Sequence, residues 1–173
     1  MKTLDPKQVE ELLKIIQSKP GQRIVHFSNE ESNLSKILHQ LSQENDSNYY
    51  LYCTEKTFYD TAKEAYKDES HIRVVNFNTA RPRYLIQGIE YDYLIATIDF
   101  TEEDKATFLE KCYPIIRTGG NIIFLIPNTS SQIRDEWQRT LEEQYYVSVN
   151  IIDNIFDDFD VIVARRMHGW GDS

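Results

Sequence analysis

Glycine, cysteine, histidine and positive charge are all scarce in this chain, and each scarcity removes a class of chemistry. No G-x-G-x-x-G follows an apolar run and no P-loop pattern occurs, so the usual glycine-built cradles for dinucleotides and nucleoside triphosphates are missing. Cys53 and Cys112, the two cysteines, sit in an apolar run and a helical pattern, which suits small buried hydrophobes in a reducing compartment better than a disulfide framework or a zinc cluster. His26, His39, His71 and His168 stand singly, and no metal site is expected from their spacing. Lys and Arg number 19 against 28 Asp and Glu, and the resulting net charge of −9 disfavours a nucleic-acid backbone or an anionic membrane surface as partner. No uninterrupted apolar stretch approaches the roughly 18 residues of a membrane span. A cytoplasmic protein is expected, with small molecules and proteins, a second copy of the chain among them, as the remaining partner classes.

What is present is a regular alternation. At 173 residues, 40% of them hydrophobic, the chain is long enough for one sizeable core, and a single domain over 1–173 is expected. Asp5-Pro6 signals a helix start, and Val9, Leu12, Leu13 and Ile16 share a face that runs to Pro20-Gly21, so residues 1–19 read as an opening helix. Strand-like runs follow at Arg23–Phe27, Tyr49–Thr54, Ile72–Phe77, Tyr91–Ile98 and Asn121–Ile126. Helical spacing separates them, with helices expected from Leu34, from Phe58, near Arg83–Gln87 and over Thr101–Arg117. A helix over Ser131–Glu143 and two β-rich runs, Tyr145–Ile152 and Phe159–Arg165, close the sequence as a hairpin around Asp153–Asp158. Strands alternating with helices on short connections imply a parallel sheet covered on both faces.

Five βα units and a closing hairpin is the order in which class I S-adenosylmethionine-dependent methyltransferases are built, and the chain resembles that family over nearly its whole length. The run Pro20-Gly21-Gln22-Arg23-Ile24-Val25-His26-Phe27-Ser28 is similar to the entry into the family's first motif. Ile115-Ile116-Arg117-Thr118-Gly119-Gly120-Asn121-Ile122-Ile123 is similar to its Gly-Gly turn and fifth strand. The resemblance implies an α/β three-layer sandwich with a Rossmann-like core over 20–173, a seven-stranded, mostly parallel sheet with an antiparallel C-terminal hairpin strand, and S-adenosylmethionine as cofactor. It also implies roles for single residues. Glu55, after the second strand, would hold the ribose hydroxyls, since two adjacent donors match one carboxylate. Asn78 would meet the adenine edge, Ser28 and Asn29 would form the donor loop, and Asp99 would face the methyl group as a candidate base.

Each position also has a structural reading. Glu55 suits a helix start, Asn78 an ordinary loop, and Asp99 the cap of a helix beginning near Thr101. The chain departs from the family where Ser28, Glu30 and Ser32 replace three glycines and His26 replaces an acidic residue. Glu30 would bring a carboxylate towards that of the donor, a repulsion of about 4 kcal/mol at ~4 Å and an effective dielectric of about 20. Alternatively, Ser28, Asn29, Glu30 and Glu31 form the cap and acidic first turn of the next helix. Two functions therefore follow from the sequence: a methyltransferase-like enzyme, or a non-catalytic binding or scaffolding domain of the same build. Trp170, flanked by Gly169 and Gly171, would pack on its own domain or on a partner.

Overall fold

A computed structural model describes residues 4–17, 19–128 and 130–167, and the tail carrying His168 and Trp170 lies outside them. The elements are α1 (Pro6–Leu13), β1 (Arg23–Ser28), α2 (Asn33–Asn45), β2 (Asn48–Cys53), α3 (Lys56–Ala65) and β3 (Ile72–Asn76). They continue as β4 (Tyr91–Ala96), α4 (Glu102–Cys112), β5 (Ile116–Pro127), α5 (Ser131–Glu143), β6 (Tyr146–Ile152) and β7 (Phe159–Arg166). The seven strands form one sheet in the order β3-β2-β1-β4-β5-β7-β6. Strands β1 to β5 pair in parallel, while β7 runs against both β5 and β6. This is the mixed three-layer sheet expected from the sequence. No helix among the described residues is long and apolar enough to cross a membrane.

Two cores follow from burying a sheet on both faces. On one, α1 to α3 bring Leu12, Leu34, Leu38 and Ala62 against Ile24, Leu51, Ile95 and Ile123. On the other, Phe108, Leu109, Trp137 and Leu141 of α4 and α5 pack on Phe27, Leu94 and Phe124. A forked ion pair adds to the second layer: Arg134 Nε and Nη2 of α5 donate to the buried Asp160 of β7 at 2.8 and 3.0 Å. Because the chain steps outward from β1 to β3 and then returns beside β1 with β4, the helices after β1 and β4 leave on opposite faces. The crevice this opens lies at the carboxyl ends of those strands.

The structure corrects four boundaries. α1 is shorter than 1–19: beyond Leu13 the amides of Ile15 and Ile16 bond three residues back, and Gln17 N donates to Tyr93 Oη at 2.9 Å, which pins the exit while Ile16 stays buried. No helix forms at Arg83–Gln87, and Gln87 and Gly88 there are left-handed (φ 53° and 71°). That stretch is a loop in which Tyr84 donates to Thr79 O at 2.6 Å and inserts its ring among Phe27, Phe77 and Phe108. α4 stops at Cys112 instead of Arg117, since Pro114 tightens a 3₁₀ turn over Tyr113–Ile115 and Ile116 already pairs with Tyr91. Gly119 and Gly120 consequently lie inside β5, not ahead of it. The outermost strand, β6, is also irregular: Ser148 is left-handed (φ 53°) and the pairing with β7 shifts between Val147 and Asn150.

Gly120 sits where β4 and β5 slip in register, and a methyl group there would lie 2.8 Å from Ile116 Cγ2 and 2.9 Å from the carbonyl oxygens of Arg117 and Asp92. Backbone oxygens cannot step aside as a side chain can. Gly120→Ala is expected to cost about 1–3 kcal/mol, as overpacked core sites do, read as a lower urea midpoint with unchanged slope.

Candidate ligand crevice at the carboxyl edge of the sheet

β1 delivers the first site residues. Ser28 continues the ladder opposite Cys53, is 1% exposed, and its hydroxyl donates to Glu30 O at 2.8 Å. Its carbonyl accepts from Thr54 N at 3.0 Å. The acidic first turn expected from Glu30 and Glu31 does not form: α2 starts at Asn33 with Ser32 as its cap residue, so residues 29–32 are a loop. The reason is local, because Ser28 spends its hydroxyl on a carbonyl instead of on helix amides. Glu55 takes the N-cap position of α3, where its carbonyl accepts from Tyr59 N at 2.9 Å; its side chain makes no capping bond, is exposed, and has no hydrogen bond or ion pair among the described residues. Asn78 is exposed and its Oδ1 accepts from Ala80 N at 2.9 Å, an Asx turn. Asp99 is exposed and does not cap α4, since Thr101 does, accepting from Asp104 N at 3.2 Å.

Beneath this edge lies a buried polar relay. His26 Nδ1 is 2.7 Å from Tyr49 Oη, His26 Nε2 is 2.8 Å from Thr97 Oγ1, and Thr97 Oγ1 is 3.3 Å from Phe27 O. Since the Phe27 carbonyl can only accept, the Thr97 hydroxyl donates to it and receives from Nε2–H, which leaves Nδ1 to accept from Tyr49. One neutral tautomer satisfies every partner. Desolvation in the fully buried site lowers the His26 pKa to about 3, so the ring is uncharged at neutral pH. Cys53, close by at the end of β2, is buried and its thiol is pushed up to about 12 by the same cause, which fits a small hydrophobe and not a nucleophile.

Two cavities open at this edge, and the segment Ile98-Asp99-Phe100 walls both. The larger, about 360 Å³, lies between the β1–α2 loop and the N-terminal ends of α4 and α5, with Asn29, Glu30, Thr97 and Asp99 on one side and Trp137 on the other. The smaller, about 250 Å³, lies towards the β3–β4 loop, with Thr79, Tyr84 and Lys111. Ser28, Glu55 and Asn78 line neither. The structure thus brings Asn29 and Asp99 together at the larger cavity and leaves Glu55 and Asn78 outside both. Sequence reasoning missed Lys105, which is 4% exposed with its ammonium 4.4 Å from the centre of the Trp137 ring and 3.3 Å from both Glu102 oxygens. A signal existed: Lys105 precedes Phe108 and Leu109 by three and four residues and so shares their buried face.

This architecture is that of the class I S-adenosylmethionine-dependent methyltransferases. Among solved structures, the chain superposes on an S-adenosylmethionine-dependent O-methyltransferase from Thermotoga maritima (TM-score 0.72, 14% identity) over 98% of its own length and 68% of that chain. It matches an S-adenosylmethionine-dependent methyltransferase from Aquifex aeolicus (TM-score 0.72, 14% identity) over 94% of each chain. A third neighbour is the geranyl diphosphate C-methyltransferase from Streptomyces coelicolor, determined with S-adenosyl-L-homocysteine (TM-score 0.69, 13% identity, 92% of this chain and 75% of that one). No family model and no curated protein matches the sequence.

The residues here do not fit that cofactor at its amino-acid end. The loop after β1 is drawn in by the Ser28–Glu30 bond, carries side chains in place of glycines, and places the acidic Glu30 at the lining of the adjoining cavity.

The relay generates a pH prediction. In the unfolded chain His26 takes up a proton near its ordinary value of about 6.5, whereas in the fold it stays neutral down to about 3. The stability it contributes is therefore complete above pH ~6.5 and declines as pH falls through that window, by at most about 1.4 kcal/mol per pH unit. His26→Gln is expected to be about 1–3 kcal/mol less stable at neutral pH, having lost a fully paired buried group. Urea titrations of both proteins from pH 7 to 4 should show that gap narrowing as pH drops.

Proposed function

We propose that the chain is a single methyltransferase-like domain that has exchanged methyl transfer for binding, and that its ligand occupies the cavity between α4 and α5 instead of a donor crevice above β1 and β2. The observation that carries this reading is the closed β1–α2 loop. Ser28 is buried and bonded to the carbonyl of Glu30, so the backbone that would cradle a donor's amino-acid end is committed to itself. The open volume at the edge lies beside β4 and β5, lined by Asp99, Lys105 and Trp137. A cavity of that size falls in the range of small-molecule sites.

One observation favours the other reading, an active S-adenosylmethionine-dependent enzyme: the Glu55 carboxylate stands at the carboxyl end of β2 with no partner among the described residues. The two readings separate cleanly in one calorimetric titration. No heat of binding is expected for S-adenosylmethionine or S-adenosylhomocysteine up to about 1 mM; a dissociation constant of about 100 μM or tighter, lost in Glu55→Ala, would establish the enzyme reading instead. Because Glu55 forms no capping bond, Glu55→Ala should move stability by no more than about 0.5 kcal/mol, so any loss of binding would report on the ligand and not on the fold.

A further inference from the structure

The larger cavity is two-sided. Acidic residues, Glu30, Asp99 and Glu102, line the side built by the β1–α2 loop and the β4–α4 segment, while Leu125, Ile126, Pro127, Ile133, Trp137 and Phe159 make the opposite wall apolar and partly aromatic. Within the wall, the one cation among the lining residues is Lys105. Its ammonium is already spent, resting over the Trp137 ring at 4.4 Å and shared between the two Glu102 oxygens at 3.3 Å. That arrangement shows a cation held stably in this cavity by an indole face and a carboxylate. It also neutralises Glu102 and leaves Asp99, which has no partner among the described residues, at the rim.

From this partition we infer that the cavity binds an amphiphilic organic cation: a protonated or quaternary amine joined to an aromatic or branched apolar body. The amine would face Asp99, and the apolar body would lie against Ile133, Trp137 and Phe159. An anion of the same shape is disfavoured because the lining carries three carboxylates against one ammonium. Association is further assisted by the chain's net charge of −9, which draws cations towards the site. Ile133, among the few large apolar side chains left exposed, lies on the cavity's apolar side, where a ligand body would cover it. This inference rests on the reading of the α4–α5 cavity as the ligand site.

The test uses the 173-residue chain with Trp170→Phe, so that Trp137 is the single remaining indole of the two and its emission reports on the cavity wall. Three probes of matched shape are titrated: 2-phenylethylammonium, neutral 2-phenylethanol and anionic 3-phenylpropionate. Saturable binding of the ammonium is expected, at least about tenfold tighter than either of the others, or about 1.4 kcal/mol. Asp99→Asn, an exposed change without consequence for folding, should weaken the ammonium about tenfold and leave 2-phenylethanol unaffected. Ile133→Ser should weaken both. Equal or tighter binding of 3-phenylpropionate would overturn the inference in favour of Lys105 as an anion anchor, and the absence of saturable binding by the ammonium up to about 10 mM would overturn it outright. Repeating the titration with S-adenosylhomocysteine present separates the two proposals: if that ligand binds and the ammonium still does, the non-catalytic reading fails while the cation site stands.

Discussion

A histidine in the middle of a strand covered on both faces must find a partner for each ring nitrogen without help from water, and the carboxyl edge of the sheet is organised around that demand. Tyr49 is supplied by β2 and Thr97 by the residue just past β4, so the ring of His26 clasps both neighbours of the central strand. The ladder is extended with it. Thr97 N bonds to Phe27 O and Thr54 N to Ser28 O, each at 3.0 Å, carrying strand-like pairing one step beyond the regular strands on both sides of β1. Only after Ser28 is the chain free to turn, and the short span to Asn33 must then make the turn on side chains and not on glycines. An acidic residue at position 26, as the family pattern has it, could not close the same circuit, because an ionised carboxylate can accept from both partners but donate to neither.

The opposite face meets a different requirement with aromatic rings. Where a helix would ordinarily cover the sheet between β3 and β4, the loop over residues 77–90 supplies Phe77 and Tyr84, which meet Phe27 at ring separations of 5.2 and 5.9 Å. Tyr52 and Phe108 complete the cluster. Edge-to-face packing of rings replaces the stripe of aliphatic side chains that a helix would lay down, and Lys111 and Arg81 lie over Tyr84 and Phe77 as its polar cover.

The sheet was legible in the sequence because its central strands are buried on both faces and therefore read as apolar runs. Asn121 to Ile126, for example, admits no other reading once Pro127 follows. The boundaries that escaped are those where apolar residues fit either outcome. Ile115 and Ile116 suit a helix end or a strand start equally, and only the loss of an amide at Pro114 decides between them. At α4 the sequence suggests Asp99 as the cap of a helix beginning near Thr101, and the structure gives that role to Thr101 itself. Three residues on, the Asp104 amide donates to the Thr101 hydroxyl oxygen at 3.2 Å and the Asp104 carboxylate accepts from that hydroxyl at 2.6 Å, which fixes Thr101 as the cap. The candidate site was less legible for a physical reason: which acidic residues share a cavity depends on how α4 and α5 lean together, and the helical spacing that puts Lys105 on the buried face of α4 does not say that the Trp137 ring of α5 lies against its ammonium.

The irregular outer strand has a consequence for how copies of this chain can meet. A regular β6 would present a row of unpaired amides and carbonyls on which another strand could build. With Ser148 in a left-handed turn and the pairing with β7 displaced between Val147 and Asn150, the donors and acceptors along that rim fall out of step with any straight strand laid beside them. The sheet ends there by construction, and growth into a continuous inter-chain sheet is blocked at that rim by geometry, without calling on charge repulsion.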